Sequence, residues 1–312
     1  MSRERDVAPL GAGPSGLLDL AVEIARTGDL PPVEIGTAAR AAAPLLGEVP
    51  PDRVRAALEA IIMGQALDVG LQWMHESGVL AVLLPELEAT VSFSQEAGRR
   101  HKDVWEHTKQ VVRQTVPHPL TRWAALLHDI GKVRTRAMLP DGKVTFHGHA
   151  EVGARMFDPI AKRLAFGKPD RNKIRFLILH HLRANAYEAA WTDAAVRRFD
   201  HEMGEHLEDL LDLSRADVTS RRPGRRQEAA HNIHALKERI LAIRTLDARV
   251  PPLPPGLGNA IMEAFSIPPS KRIGDLRKLC EDACERGELE ERREPGYYIE
   301  YLRKQVAEPA GP

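Results

Sequence analysis

Cysteine is nearly absent from this chain. Its 312 residues contain two, Cys280 and Cys284. No His or further Cys lies near them to complete a zinc set. They read as two reduced thiols, which excludes a disulfide framework and a Cys-based structural zinc site. Aromatic residues are also scarce, at 5%, while Leu, Ala, Arg and Glu are plentiful, a balance that leans towards helix. Charge of one sign does not dominate: 44 Lys+Arg face 44 Asp+Glu. No global basic field therefore announces a nucleic-acid binder, although a local patch stays open. No run approaches the roughly 18 apolar residues of a membrane span, and the start, MSRERDVAPLGAGPSG, lacks the apolar stretch of a signal peptide. A soluble cytoplasmic protein with no membrane partner is expected. Gly-rich phosphate loops, tandem repeats and parallel βαβ patterns are missing as well.

What is present is a long series of helical patterns. With 43% hydrophobic residues, a chain of this length can bury a sizeable core, as two or three domains or one elongated helical body. Residues 1–15 are polar and rich in Gly and Pro and read as a disordered tail. Helices are expected at 17–27, 38–46, 51–63, with Asp52 as a cap, and 66–76, followed by VLAVLLPELEAT. An amphipathic helix over 103–116 carries His107, and a buried helix over 121–130 ends in HDIGK, where Gly131 can stop it. RTRAMLPDGKVTF reads as a small hairpin turning at PDG. Further helices are expected at 150–164, 170–183, 193–204 with Thr192 as cap, 207–217 and 228–246. VPPLPPGLG is a linker, followed by two or three more helices.

Along this series the histidines and acids fall in order: His107, His128 with Asp129, His149, His180 with His181, and Asp217. Each gap is roughly one helix plus a return, so one residue of each helix can point into a common centre, as in metal sites of helix bundles. Imidazole nitrogen with carboxylate oxygen suits Mn, Fe, Co, Ni or Zn, with Mg at an oxygen-richer position. His107 lies near the buried stripe of its helix, where an unpaired imidazole is costly. Asp129 and Asp217 each close an apolar helix at its C-terminal end, where the helix dipole disfavours negative charge. A bound cation accounts for both. Such an ion activates water for attack on phosphorus or carbon. Adjacent helical residues point about 100° apart, so His180 and His181 do not readily share a face. His181 follows Ile174 and Leu177 at helical spacing and is the preferred member. Lys132 is placed to pair with a carboxylate or to hold a phosphate. Arg183, Arg221 and Arg222 are phosphate-binding candidates, with the reading as solvated surface arginines favoured for Arg222 and Arg225.

The order H…HD…H…H…D, with HDIGK and HAEVGA, resembles the HD superfamily of metal-dependent phosphohydrolases. The resemblance implies one divalent metal on His107, His128, Asp129 and Asp217. It implies that His149 and one or both of His180 and His181 hold a second ion or a phosphate. Asp129, Lys132 and His149 would then be the catalytic residues. A closer resemblance covers roughly residues 20 to 290. HKDVWEHTKQVV, AALLHDIGK, VTFHGHAEVGA, HHLRANAY, WTDAAVRRF and LSRADVTSRR are similar to the HD-containing region of bacterial CCA-adding tRNA nucleotidyltransferases of the poly(A) polymerase type. PPDRVRAALEAIIMGQALDVGLQWMHESGVLAVLLPELEA is similar to their neck, and LGNAIMEAFSIPPSKRIGDLRKL to their body. The chain starts too late for the transferase head with its phosphate loop and paired-Asp strand. A headless relative that does not add nucleotides is therefore expected.

The expected fold is all-α: a multi-helix HD bundle with flanking neck and body helices and at most one small β-hairpin. Its expected parts are a tail (1–15), a neck-like region (16–92), the HD domain (93–222), a connecting helix (223–249), a linker (250–258) and body-like helices (259–312). The expected activity is that of a phosphomonoesterase or phosphodiesterase on nucleotides or RNA phosphate ends, with one or two divalent ions. Three rivals stand beside it. One is a cyclic-dinucleotide phosphodiesterase, which the missing GYP run after HHLRANAY disfavours. The second is a non-catalytic tRNA- or RNA-binding module. The third is a partner subunit of a separate nucleotidyltransferase head. The oligomeric state is open, a homodimer included.

Overall fold

In the computed structural model, residues 13–91, 93, 103–142, 144–219, 224–248 and 251–307 are described. Among the described residues the regular structure is helical apart from one two-residue ladder, and the chain divides into a larger unit, Met1–Leu241, and a smaller one, Ala242–Pro312.

The larger unit opens with short helices: α1 (Pro14–Thr27), α2 (Val33–Ala42), α3 (Pro51–Met63), α4 (Leu67–Glu76), α5 (Val79–Leu83) and α6 (Pro85–Glu88). α1 begins inside the stretch read as a tail, because Pro14 with its fixed φ suits a first helical position. The helix expected at 38–46 starts earlier, at Val33, and passes into a 3₁₀ segment at Ala43–Glu48, where Pro44 lacks the N–H that a continuing α-helix needs. Asp52 does not cap α3. It sits inside the first turn after Pro50 and makes no capping hydrogen bond. α1 crosses α4 closely because Gly70 faces Ala25: a Cβ on Gly70 would lie 2.6 Å from that of Ala25.

The helices that frame the centre follow. They are α7 (Val104–Gln114), α8 (Pro119–Leu127), α9 (Lys132–Thr135), α10 (His149–Arg163), α11 (Lys168–His180), α12 (Asp193–Met203), α13 (Leu207–Ala216) and α14 (Arg225–Ala248). Asp103 caps α7 by accepting from the Trp105 N–H, and Thr192 caps α12 by accepting from Ala195. Between α9 and α10 lies the expected hairpin: β1 (Ala137–Met138) pairs antiparallel with β2 (Val144–Thr145). α8 is the central helix. Trp123, Ala124, Ala125 and Leu127 are wholly buried, and neighbours pack on it from α3, α7, α11 and α13. Arg122 on the same helix is also buried. It donates to the Ile62 carbonyl at 2.7 Å and to the Thr115 carbonyl at 3.4 Å, which ties α8 to the end of α3.

The smaller unit contains α15 (Leu257–Phe265), α16 (Lys271–Glu285) and α17 (Pro295–Ala307) around Leu257, Ile261, Cys280, Tyr298 and Leu302. The Tyr298 hydroxyl donates to the Glu290 carbonyl at 2.8 Å. Cys280 and Cys284 are buried free thiols, and burial pushes the Cys280 thiol up to about 11. Among the described residues no helix is long and apolar enough to cross a membrane.

Candidate metal centre

α8 ends at Leu127, and His128 and Asp129 continue in right-handed turns below it. Gly131 does not stop the helix through a left-handed conformation, as its φ is −65°. Its missing Cβ leaves space instead. A Cβ there would lie 2.1 Å from the His149 carbonyl oxygen and 2.6 Å from the Gly153 nitrogen. The HD turn therefore lies directly against the first turn of α10, which brings Asp129 to His149.

The side chains converge as the spacing suggests. His107 Nε2 lies 3.2 Å from His128 Nε2, 3.3 Å from Asp129 Oδ2 and 3.0 Å from Asp217 Oδ1. His128 Nε2 lies 3.2 Å from Asp129 Oδ2 and 3.4 Å from Asp217 Oδ1. On the other side of Asp129, Oδ1 lies 3.4 Å from His149 Nε2, which is 3.2 Å from His181 Nε2. His128 and His181 are fully buried and Asp129 almost so. Asp129 thus presents one oxygen to each half of the cluster.

The hydrogen-bond directions define what these atoms offer. Nδ1 of His128, His149 and His181 each lies 2.7–2.8 Å from the carbonyl three residues earlier: Ala125, Phe146 and Ile178. A carbonyl only accepts, so each Nδ1 carries a proton and each Nε2 faces inward, as a lone pair wherever the ring is neutral. His107 differs, because its Nδ1 meets the Thr219 hydroxyl at 2.8 Å. Outer partners that fix an imidazole in this way accompany metal-ligating histidines. Lone pairs held 3.0–3.4 Å apart repel unless a cation or proton sits among them. Ligand atoms about 2.1 Å from an ion in tetrahedral or octahedral array stand about 3.0–3.4 Å from each other. The donor set fits a divalent ion, and groups competent to hold one are His107 with His128 and Asp129, and Asp129 with His149 and His181.

The electrostatics agree. Burial pulls the His128 imidazole down, but Asp129 and Asp217 outweigh it and raise it to about 10. Burial likewise pushes the Asp129 carboxyl up, yet His128, Lys132 and His107 hold it well below the usual carboxylate range. Asp217 follows the same pattern, with burial opposed by His107 and His128. This half of the centre demands positive charge. His181 goes the other way: burial, helped by His128, lowers it to about 4, so it stays a neutral donor.

Lys132 donates to Asp129 Oδ2 at 2.6 Å and lies over the Phe146 ring. The other candidates are not gathered in. His180 turns away and packs on Phe176, with ring centroids 4.3 Å apart, because it ends α11 one residue before His181 and so lies about 100° around from it. Arg183 pairs with Glu202 at 2.6 Å and lies over Phe199, away from the cluster. Arg221 and Arg222 lie outside the described residues. Thr219 was not among the candidates. Its only signal in the sequence is a hydroxyl two residues after Asp217.

Comparison with known proteins gives two family matches: residues 100–222 match the model described as "HD domain", and residues 34–90 the model described as "Probable RNA and SrmB- binding site of polymerase A". The chain is 33% identical over 245 residues to the A-adding tRNA nucleotidyltransferase of Deinococcus radiodurans, covering 76% of this chain and 55% of that protein. It is 30% identical over 258 residues to the CC-adding tRNA nucleotidyltransferase of Thermus thermophilus, covering 81% and 57%. A third similarity, 31% over 139 residues, is to the multifunctional CCA protein of Pseudomonas paraeruginosa, covering 43% and 33%. The chain spans about half the length of the first two of these relatives.

Proposed function

From an HD domain set in a chain similar to tRNA nucleotidyltransferases, we propose that this protein is a metal-dependent phosphohydrolase acting on nucleotides or RNA phosphate ends. The observation that carries the reading is the inward set of Nε2 lone pairs, with Asp129 shared between two halves of the cluster. His107, His128, Asp129 and Asp217 hold one ion in this reading, and Asp129, His149 and His181 a second. When bound, a divalent ion supplies Lewis acidity and lowers the pKa of water.

The chain's own groups do the rest. The Ala125, Phe146 and Ile178 carbonyls lock three imidazoles in the Nδ1–H form, so their donor atoms need no rearrangement on binding. Burial strengthens every charge interaction in the cluster. Lys132, next to the Asp129 oxygen, offsets carboxylate charge and stabilises negative charge gathering on a phosphoryl group. His107, Lys132, His149 and Asp217 keep 11–15% of their side chains exposed, and on that open edge a phosphate can approach.

Residues 34–90 favour a complementary role. Their match to an RNA-binding family model supports an RNA contact in α2–α6 that brings an RNA end to the HD unit. Metal-loaded protein assayed against phosphomonoesters, cyclic nucleotides and 2',3'-cyclic RNA ends tests the reading. Hydrolysis stimulated by Mn, Co or Ni and abolished by chelator is expected. H128A/D129A, which should lose both metal and activity, is the control. An inactive protein that still binds tRNA with a steep salt dependence replaces the hydrolase by an RNA-binding module.

A further inference from the structure

A hollow of about 320 Å³ opens beside Asp217, between the turn that follows His181 and the first turns of α14. Its floor is apolar: Ala184 and Ile233 are buried, and Val218 is half-buried. Its polar lining consists of Asn185, Arg225, Glu228 and Asn232. Among the described residues, the side chains of Arg225, Glu228 and Asn232 have no hydrogen-bond or ion-pair partner, although Arg225 and Glu228 stand three apart on one helix. All four polar residues are exposed, and with the apolar floor they rim a hollow of the size of a small-molecule site.

The walls are fixed to the metal centre. The Asn185 amide donates to the Ser214 carbonyl at 3.2 Å, and the Ser214 hydroxyl donates to the His181 carbonyl at 3.0 Å. On the other wall, Arg226 donates to Gln114, and Gln114 donates to the Ala216 carbonyl, one residue before Asp217. Val218 is joined directly to that Asp. A ligand in the hollow is therefore held by elements that also hold two of the candidate metal ligands.

We infer that this hollow binds the nucleoside portion of the substrate. The inference rests on the phosphohydrolase reading for what lies next door, but not for the hollow itself. A phosphate alone does not suit it, because the Glu228 carboxylate stands beside Arg225, one turn along the same helix face. A nucleoside does. Its base is flat and apolar on its faces, which suits the floor of Ala184, Val218 and Ile233. The amides of Asn185 and Asn232 match the donor–acceptor edge of a base. The Glu228 carboxylate accepts from ribose hydroxyls, and Arg225 donates to a base carbonyl or to the attached phosphate. Arg225 is exposed, as its sequence reading has it, and from that surface position it reaches a ligand in the hollow.

The test is a titration of full-length, metal-free protein with cytidine, adenosine and ribose, followed by metal content after reloading. Nucleosides are expected to bind at least about tenfold more tightly than ribose, the gain of two or three hydrogen bonds plus the buried base. Ala229→Trp, which fills the hollow, and the milder pair Glu228→Gln with Asn232→Ala should each remove that preference while the reloaded metal content stays at the wild-type value. Nucleosides that bind no better than ribose, or variants that keep the wild-type preference, overturn the inference. A protein that prefers nucleosides but takes up no metal keeps the hollow and sinks the hydrolase reading; the reverse result does the opposite. Comparing a mononucleotide with a trinucleotide of the same 3' nucleoside separates the sources. Tighter binding of the trinucleotide assigns RNA ends, and tighter binding of the mononucleotide assigns free nucleotides. Both uphold the hollow as a nucleoside site.

Discussion

Gly131→Ala is a small change with a large expected consequence. The added Cβ would lie 2.1 Å from the His149 carbonyl oxygen and 2.6 Å from the Gly153 nitrogen, both main-chain atoms that no rotamer change can move. Non-bonded contact needs about 3.5 Å, so α10 must retreat from the HD turn by about 1 Å or more. Overpacking of this kind costs about 1–3 kcal/mol. For a unit of this size that is about 2–10 °C in Tm. The movement acts on one boundary in the centre. His149 moves with α10, whereas His107 lies on α7, and His128 and Asp217 directly follow α8 and α13. The Asp129–His149 separation is 3.4 Å, and metal ligands tolerate about 0.2 Å. The variant should therefore lose the ion proposed between Asp129, His149 and His181 and keep the other. Scanning calorimetry gives the first quantity, and elemental analysis after dialysis against Mn gives the second, expected to fall from about two ions to about one. A variant with wild-type Tm and unchanged metal content would refute the close approach as the coupling between the two halves.

Other consequences can be checked in the same preparations. Thr219→Val removes the sole side-chain partner of a cluster imidazole's Nδ1 and should weaken metal affinity by about 10–100-fold, with Thr219→Ser restoring most of it; an unchanged Kd for the Val variant would dismiss Thr219 as a positioning residue. Metal-free protein should show a stability maximum near pH 6.5. His181, lowered to about 4, is protonated first in the unfolded chain, so its contribution of about 3 kcal/mol is lost as pH falls from 6.5 to 4. His128, raised to about 10, stabilises fully below 6.5, and that contribution is lost as pH rises through 10. Urea unfolding across pH reads both limbs, and an acid limb unchanged in His181→Leu would exclude His181 as its cause. Arg122→Leu should cost about 2–4 kcal/mol by stranding the Ile62 and Thr115 carbonyls, measurable as a drop in urea midpoint at constant slope. Tyr298→Phe should cost about 1 kcal/mol in the smaller unit, read by hydrogen exchange of its amides.

The all-helical class, the hairpin at PDG and the order of the candidate ligands were legible in the chain itself. Helical apolar spacing, Gly and Pro punctuation and capping residues are local properties, and local interactions carry them. The HD motif was legible for a similar reason. Two carboxylates at the C-terminal ends of apolar helices contradict the helix dipole, and the contradiction is visible without coordinates. Other features depended on contacts between distant residues. Gly131 looked like a helix stop, but its role is the space it leaves for the start of α10. His180 and His181 were neighbours in one motif until the turn of α11 sent one to Phe176 and the other inward. Thr219 entered the centre through one hydrogen bond across 112 residues of sequence. The hollow beside Val218 exists only because α14 is laid against the turn that follows His181. The sequence by itself determined which elements form and which residue types are available for chemistry, because backbone preference and hydrophobic period act over a few residues. Tertiary structure decided which of those residues share one centre and what each lone pair faces, because packing fixes a side chain's neighbours and those neighbours come from the whole chain.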